Sequence, residues 1–303
     1  MSRVAEFEEL RPLLFAISYR ILGSVSEAED AVQETWLRYE RSATTPTSTK
    51  AFLSAVVTRI SIDVLRSARV RREQYVGQWL PEPLITDTYS DPARSAELAD
   101  SVSTAALLLL ERLSPLERAV FVLREVFAFD FPEIASVVDR SEAACRQLAV
   151  RARRHMDAGR PRFETDRKQR NALAVRFFRA LREGDLDGLR ALLAADVRMT
   201  ADTAGRGPNW VKGVFGVERV ARTLASVAPL VIGVGVTEEL RVMNGDIGAV
   251  YRDRSGKVVG TVTVDGVDGR IQQIHTLLNP DKLRHLGPVG DAAAVVREAL
   301  RTR

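Results

Sequence analysis

This 303-residue chain is poor in the residues that build disulfides and metal sites. It has one cysteine, Cys145, so no internal disulfide can form, and that thiol with three scattered histidines gives no zinc-ligand spacing. No cofactor and no metal are expected, and a reducing, cytoplasmic setting is the default. No apolar run approaches the ~18 residues that would span a bilayer. The strongest, "STAALLLLERLS" ending at Ser114, is too short. The opening "MSRVAEFEEL" carries acids where a signal peptide needs bases and an apolar core, so export and membrane attachment are not expected.

What is present suits a globular protein. The chain is 46% apolar and 28% charged, which at roughly 150 residues per domain gives two or three compact units. The net charge of +4 permits nucleic-acid binding, and its distribution is more telling. Residues 1–58 hold 6 basic and 8 acidic side chains, whereas 59–72 hold five Arg against Asp63 alone. A second cluster, Arg146, Arg151, Arg153 and Arg154, contains no acid. Two Arg-rich patches on helical sequence read either as two contacts on one polyanion or as two solvated helix faces.

Three blocks emerge along the chain. Residues 1–74 read as helices. The segment from Ser26 looks like a capping box with Glu29, and 50–69 place Phe52, Val56, Ile60 and Val64 on an apolar face away from Arg59, Asp63 and Arg66. Residues 75–104 break the pattern with Pro81, Pro83 and Pro92 and read as a connector. Residues 105–160 are helical again. Ser114 and Asp130 are capping residues, each followed by Pro and Glu. Two helices, 131–138 and one from Glu142, are joined by the turn "DRS", a helix-turn-helix. Leu148 and Val150 are expected in its core. From 171 to 285 two helices separated by Gly184 precede strands at 197–201, 230–238, 240–243, 247–252, 257–264 and 270–278, with hairpin turns "NGD", "RSGK" and "DGVDG". Residues 286–303 form a helical tail.

These blocks carry a family resemblance. "YRILGSVSEAEDAVQETWLRYE" with "KAFLSAVVTRISIDVLRSARVRRE" resembles sigma region 2 of extracytoplasmic-function sigma factors, and "LSPLERAVFVLREVFAFDFPEIASVVDRSEAACRQLAVRARRHM" resembles their region 4. The third block is similar to SnoaL-like domains. One sigma subgroup, called SigJ-like, carries such a domain in cis, with "WLPEP" and "NPDKL" motifs, present here at Trp79–Pro83 and Asn279–Leu283. The subgroup's "DGGGK" is replaced by "DTAGRG" at 202–207. The fold class so implied is multidomain: a region 2 helical bundle, a region 4 helix-turn-helix, and an α+β cone-shaped barrel.

The resemblance implies a sigma factor that directs promoter-specific initiation, without enzymatic activity, and is modulated in cis by the third block. Its implied partners are core RNA polymerase, through the largest subunit's clamp helices and the second-largest subunit's flap, and promoter DNA. Asp30, Gln33, Glu34 and Leu37 share one helix face, and the resemblance directs that face to the clamp. Arg59, Asp63, Arg66, Arg69, Arg71 and Arg72 are the implied −10 contacts, with the loop Ser42–Lys50 holding a flipped base. Ser141, Glu142, Arg146, Gln147, Arg151 and Arg154 are the implied −35 set. Arg146 is suited to guanine, Gln147 to adenine, and Arg151 and Arg154 to phosphates.

The "WLPEPL" stretch puts large apolar side chains in a connector. Trp79, Leu80 and Pro81 are expected to pack on the third block near Asn279, Pro280, Asp281, Lys282 and Leu283; the alternative is that Trp79 caps the first block. Within the barrel, His275, Tyr251, Trp210 and Asp202 are the polar groups a ligand or a reaction would use, with His275 pointing inward. A small-molecule ligand is left open. A polymerase-independent helix-turn-helix regulator and an enzyme with a DNA-binding appendage stand as the competing readings.

Overall fold

The computed structural model describes residues 2–43, 46–73, 75, 77–85, 103–159, 167–205 and 213–301. The chain forms two compact units. One comprises Met1–Gln74 with Tyr89–Arg160, the other Tyr75–Thr88 with Pro161–Arg303. Among the described residues no helix is long and apolar enough to cross a membrane.

The first unit begins with three packed helices, α1 (Arg3–Leu22), α2 (Val25–Arg41) and α3 (Thr49–Glu73). Leu14, Ile17, Ile21, Val32, Leu53 and Val57 are its buried centre. Gly23, at φ 69°, closes α1, and Ser24 then caps α2 by accepting from the Glu27 N–H. The capping residue is therefore Ser24, not Ser26: one left-handed glycine completes the turn, so the helix starts two residues earlier. On α3 the deepest face runs through Leu53, Val57, Ile60 and Leu65, while Phe52, Val56 and Val64 are half-buried.

Four more described helices follow: α4 (Thr104–Leu110), α5 (Pro115–Phe121), α6 (Phe131–Val138) and α7 (Glu142–Gly159). Both expected capping boxes form, Ser114 with Glu117 and Asp130 with Glu133. A π-helical turn, Val122–Val126, extends α5. Asp139, at φ 51°, makes the turn between α6 and α7. The α7 core face is Cys145, Leu148, Ala149, Ala152 and Met156 at helical spacing. Val150 falls off that stripe and is 49% exposed, contrary to expectation.

The second unit carries α8 (Arg167–Glu183), α9 (Leu186–Leu192), α10 (Val217–Gly233) and α11 (Ala292–Arg301), with strands β1 (Leu193–Asp202), β2 (Val214–Phe215), β3 (Thr237–Met243), β4 (Asp246–Arg252), β5 (Val258–Val267) and β6 (Arg270–Leu277). They form one open sheet in the order β2-β1-β6-β5-β4-β3, so the expected barrel is not formed. Closure would require β2 and β3 to pair, and β2 is only two residues long. Nor is the sheet a pure antiparallel meander, since β1 lies parallel to β6. The expected strand at 230–238 is split: 230–233 end α10, 234–236 turn, and only Thr237 and Glu238 are strand, opening β3. The α10 apolar positions Val217, Val220, Ala221, Leu224, Ala225 and Ala228 follow helical spacing onto the sheet, and this overrides the β-branched run at 231–236. Gly184, at φ 67°, separates α8 from α9, and a Cβ there would stand 3.0 Å from the Pro229 ring of α10. Phe177, Phe178, Leu189, Val197, Met199 and Ile274 centre the core between helices and sheet.

Candidate nucleic-acid interfaces and the strap node

On α2, Val25, Ala28, Val32, Thr35 and Tyr39 are buried, leaving Asp30 and Gln33 exposed and Glu34 and Leu37 half-exposed on the outer face. Glu34 pairs with Arg38 at 2.8 Å. Trp36 packs on Phe7, with ring centroids 5.0 Å apart, in the bundle itself. An acidic and apolar stripe is thus held outward by a rigid helix.

On α3, Arg59, Asp63 and Arg66 are exposed on one side, and Asp63 pairs with Arg66 at 3.3 Å. The side chains of Arg69, Arg71 and Arg72 lie outside the described residues. Arg59 is engaged within the unit: its Nε donates to the Val137 carbonyl at 2.8 Å and its Nη2 to that of Ser136 at 2.6 Å. Those carbonyls end α6, where the helix dipole favours a cation. A second link lies nearby. Buried Arg118 donates through Nε to the Arg20 carbonyl at 3.0 Å and pairs with Glu111. Arg20 lies over the Phe127 ring at 5.3 Å, and burial lowers its pKa to about 10, so it stays cationic at neutral pH. Arg59 therefore fastens α3 to the helix-turn-helix and Arg118 fastens α5 to α1, roles invisible in local sequence because the partners are backbone carbonyls 77 to 98 residues away.

In the helix-turn-helix, Ser141 precedes α7 and its Oγ accepts from the Ala144 N–H at 3.2 Å. Arg146 and Gln147 are exposed near the start of α7, and Arg146 pairs with Glu142 at 2.8 Å. Arg151 pairs with Glu117 of α5 at 3.0 Å, and Arg154 is exposed further along. Burial works against ionisation of Glu117, but the Ser114 hydroxyl and N–H together with the Arg151 guanidinium hold it below the ordinary carboxylate range. Cys145 is fully buried, and desolvation pushes its thiol up, leaving little thiolate for redox chemistry.

The "WLPEPL" stretch belongs to the second unit. Tyr75 and residues 77–85 form a strap whose anchor is Asp202, 0% exposed at the end of β1. One Asp202 oxygen accepts from the Tyr75 hydroxyl at 2.5 Å; the other accepts from the Leu80 N–H at 3.0 Å and from Lys282 Nζ at 2.7 Å. Lys282 also donates to the Leu80 carbonyl at 2.5 Å and sits 4.1 Å from the Trp79 ring centroid. Asn279 Nδ2 donates to the Tyr75 hydroxyl at 2.8 Å, and its own side-chain oxygen caps the short turn Pro280–Lys282 by accepting from the Asp281 N–H. Leu80, Pro81, Glu82, Pro83 and Leu283 are buried. Further along, His285 Nε2 donates to the Pro83 carbonyl at 2.7 Å, Leu84 exchanges hydrogen bonds with Asn244, and Ile85 bridges to Met243 of β3.

The strap thus reaches from Asp202 at the end of β1, whose side chain lies on the sheet face opposite the helices, to Met243 and Asn244 at the end of β3. Asp202 shares that face with Thr200, whereas Met199 and Val197 alternate into the helix-side core. Trp79, Leu80, Asn279 and Lys282 meet as the sequence suggested. Asp202 and Tyr75 were not legible as their partners. Asp202 opens the divergent "DTAGRG", whose Arg206 and Gly207 lie outside the described residues, and nothing in its local pattern marks it as an anchor.

The remaining polar candidates do not converge. His275 pairs across the sheet with Thr200 and Thr263, on the strap side and not inside a cone, with Nε2 2.8 Å from Asp265. Tyr251 faces the helix-side core and donates to Glu238 at 2.9 Å. Burial raises both the Tyr251 phenol and the Glu238 carboxyl. Trp210 lies outside the described residues. Among those residues no cluster of three or more His, Cys, Asp or Glu could hold a metal.

Comparisons with known proteins agree with this layout. The family model "Sigma-70 region 2" matches residues 7–71 and "Sigma-70, region 4" matches 103–156. The chain is 39% identical to the ECF RNA polymerase sigma factor SigJ of Mycobacterium tuberculosis, over 92% of each chain. It is 31% identical to the probable ECF RNA polymerase sigma factor SigI of the same species, over 90% of this chain and 92% of that one. The crystal structure of Mycobacterium tuberculosis SigJ superposes with a TM-score of 0.73 at 34% identity, covering 93% of this chain and 98% of the other.

Proposed function

The chain belongs to the extracytoplasmic-function RNA polymerase sigma factors and serves promoter-specific transcription initiation; from that premise we propose that its C-terminal unit sets this activity in cis through the strap. The observation that carries the reading is the Asp202–Lys282 node, which grips both the backbone and the Trp79 ring of a segment beginning two residues after α3 ends. In this reading the strap's hold bears on the −10-reading helix because so few residues of sequence separate the two.

In this reading the outer face of α2, with Asp30, Gln33, Glu34 and Leu37, docks on the clamp helices of the largest polymerase subunit. An acidic and apolar stripe suits a basic partner. The helix-turn-helix domain meets the flap of the second-largest subunit. Arg59, Asp63 and Arg66 address the −10 element, and the N-terminal part of α7 enters the major groove at the −35 element, Arg146 and Gln147 toward base edges and Arg154 toward phosphate. We read the C-terminal unit as a SnoaL-like domain acting mechanically, without catalysis. The separate surroundings of Asp202, His275 and Tyr251 support that. A small molecule binding there would act by altering the strap's hold.

The test is run-off transcription with core polymerase, comparing the full chain with Lys282→Met and Asp202→Asn. Promoter-dependent transcript that changes at least several-fold in both variants supports the reading. Transcript at unchanged level in both removes the cis control, and no transcript from the full chain or any variant removes polymerase-dependent initiation as well.

A further inference from the structure

The aromatic ring at the start of the helix-turn-helix has a relationship to two arginines that no motif announces. Phe131 is the first residue of α6, fixed there by the Asp130–Glu133 capping box and by Pro132 behind it. The Arg146 guanidinium carbon lies 5.1 Å from its ring centroid and that of Arg124 lies 4.8 Å away. Both distances fall within cation–π range.

Each guanidinium has a second tether. Arg146 pairs with Glu142 one turn back on α7, and Arg124 donates to the Phe129 carbonyl at 2.8 Å. Arg124 sits within the π-helical turn, and Ala128, at φ 55°, bends the chain sharply between that turn and Asp130. A left-handed non-glycine residue beside a π turn is a costly conformation, and it brings Arg124 back to the ring.

Other arginines of α7 are held differently. Arg151 and Arg153 are paired with Glu117 and Glu125. Two cations beside one ring repel each other, and a duplex phosphate next to a base edge would relieve that repulsion. An arginine held at two points also loses less rotamer freedom on docking than a free one.

We propose that Phe131 is the positioning residue of the −35 contact, aligning Arg146 with a base edge and gathering Arg124 beside it as an additional phosphate contact. This rests on the reading of Arg146 as a −35 base contact. Phe131 itself touches no base; it acts through Arg146.

The experiment selects sequences from a duplex library randomised over the −35 region, using the full-length protein with core polymerase. Arg146→Ala should lose base preference at one or two positions. Phe131→Leu, which keeps an apolar side chain without a ring, should lose preference at the same positions by about 10-fold, the scale of one bidentate base contact. Phe131→Tyr should restore it. Arg124→Ala should weaken binding evenly across sequences and lower the salt slope by about 1. If Phe131→Leu keeps the wild-type preference while Arg146→Ala loses it, the positioning role is wrong and the base contact stands. If Arg146→Ala keeps it, the underlying reading falls too. An Arg124→Ala protein with an unchanged salt slope removes the phosphate contact.

Discussion

Lys282 Nζ lies 2.7 Å from Asp202 Oδ2 in an environment where Asp202 has no solvent exposure, and the same ammonium caps the Leu80 carbonyl and faces the Trp79 ring. One cation thus completes a carboxylate, a carbonyl and an aromatic face. Remove it and the buried Asp202 carboxylate is left with neutral donors, the Tyr75 hydroxyl and the Leu80 N–H among them, while the Leu80 carbonyl and the Trp79 ring lose this cation.

Lys282→Met is therefore expected to cost about 3–5 kcal/mol, the usual penalty for breaking a buried ion pair on one side only. Calorimetry of the full chain should show the C-terminal transition lowered by about 10 °C. Adding Asp202→Asn should recover part of the loss, because the orphaned charge disappears with it. A single variant melting like the parent would show that the pair is not buried in solution.

Trp79→Ala removes the ring from Lys282 but leaves the strap's backbone bonds to Asp202 intact. The expected loss is smaller, about 1–3 kcal/mol from apolar burial and cation–π contact. Limited proteolysis should cut within residues 75–85 faster than in the parent, at sites mapped by mass spectrometry. Equal cutting rates would place the ring outside the strap's anchorage.

Arg59 cannot hold the α6 carbonyls and read the −10 element while α7 sits on the −35 element. The two elements are about 25 base pairs apart, roughly 85 Å of B-form duplex at 3.4 Å per step. Spin labels at Glu40→Cys and His155→Cys, both exposed, report on this with buried Cys145 left unlabelled. The free protein should give one short distance, and the promoter complex with core polymerase a distance longer by tens of ångströms. The same distance in both states would contradict the division of the two helices between the two elements.

Glu238 gives a pH signature. Burial raises its carboxyl above the ordinary value, against smaller opposing effects from the Tyr251 hydroxyl and Arg182. The folded state then binds its proton more tightly than the unfolded state, so stability falls as pH rises from about 4.5 through the folded value. Glu238→Gln keeps an acceptor for Tyr251 and removes the charge. It should raise the melting temperature at pH 7.5 and leave it unchanged at pH 4, and a lowered melting temperature at pH 7.5 would reverse the sign of the argument.

Much of the helical architecture was legible because its signals are local. The boxes at Ser114 and Asp130 need only four residues each, and the turn between α6 and α7 was placed to the residue. Local signals failed where a neighbour decided the outcome. Residues 230–233 look like strand by composition, yet α10 continues through them because its apolar stripe already lies on the sheet. Val150 looks like core by type and faces water because its angular position on α7 does. The barrel expectation failed on the two-residue β2, whose length nothing in the sequence advertised.

The sequence by itself determined the helical blocks and the helix faces that expose acids and arginines, since periodicity and capping are properties of neighbouring residues, while its motifs carried the resemblance to the two sigma regions and to the strap. Only the tertiary structure decided that Asp202 anchors Tyr75, Leu80 and Lys282, that Arg59 ends on backbone carbonyls of α6, and that His275 lies on the strap face of an open sheet. Each of those depends on groups far apart in the chain and on which side of a strand faces the core. Backbone acceptors and sheet faces leave no mark in residue identity until the chain has folded.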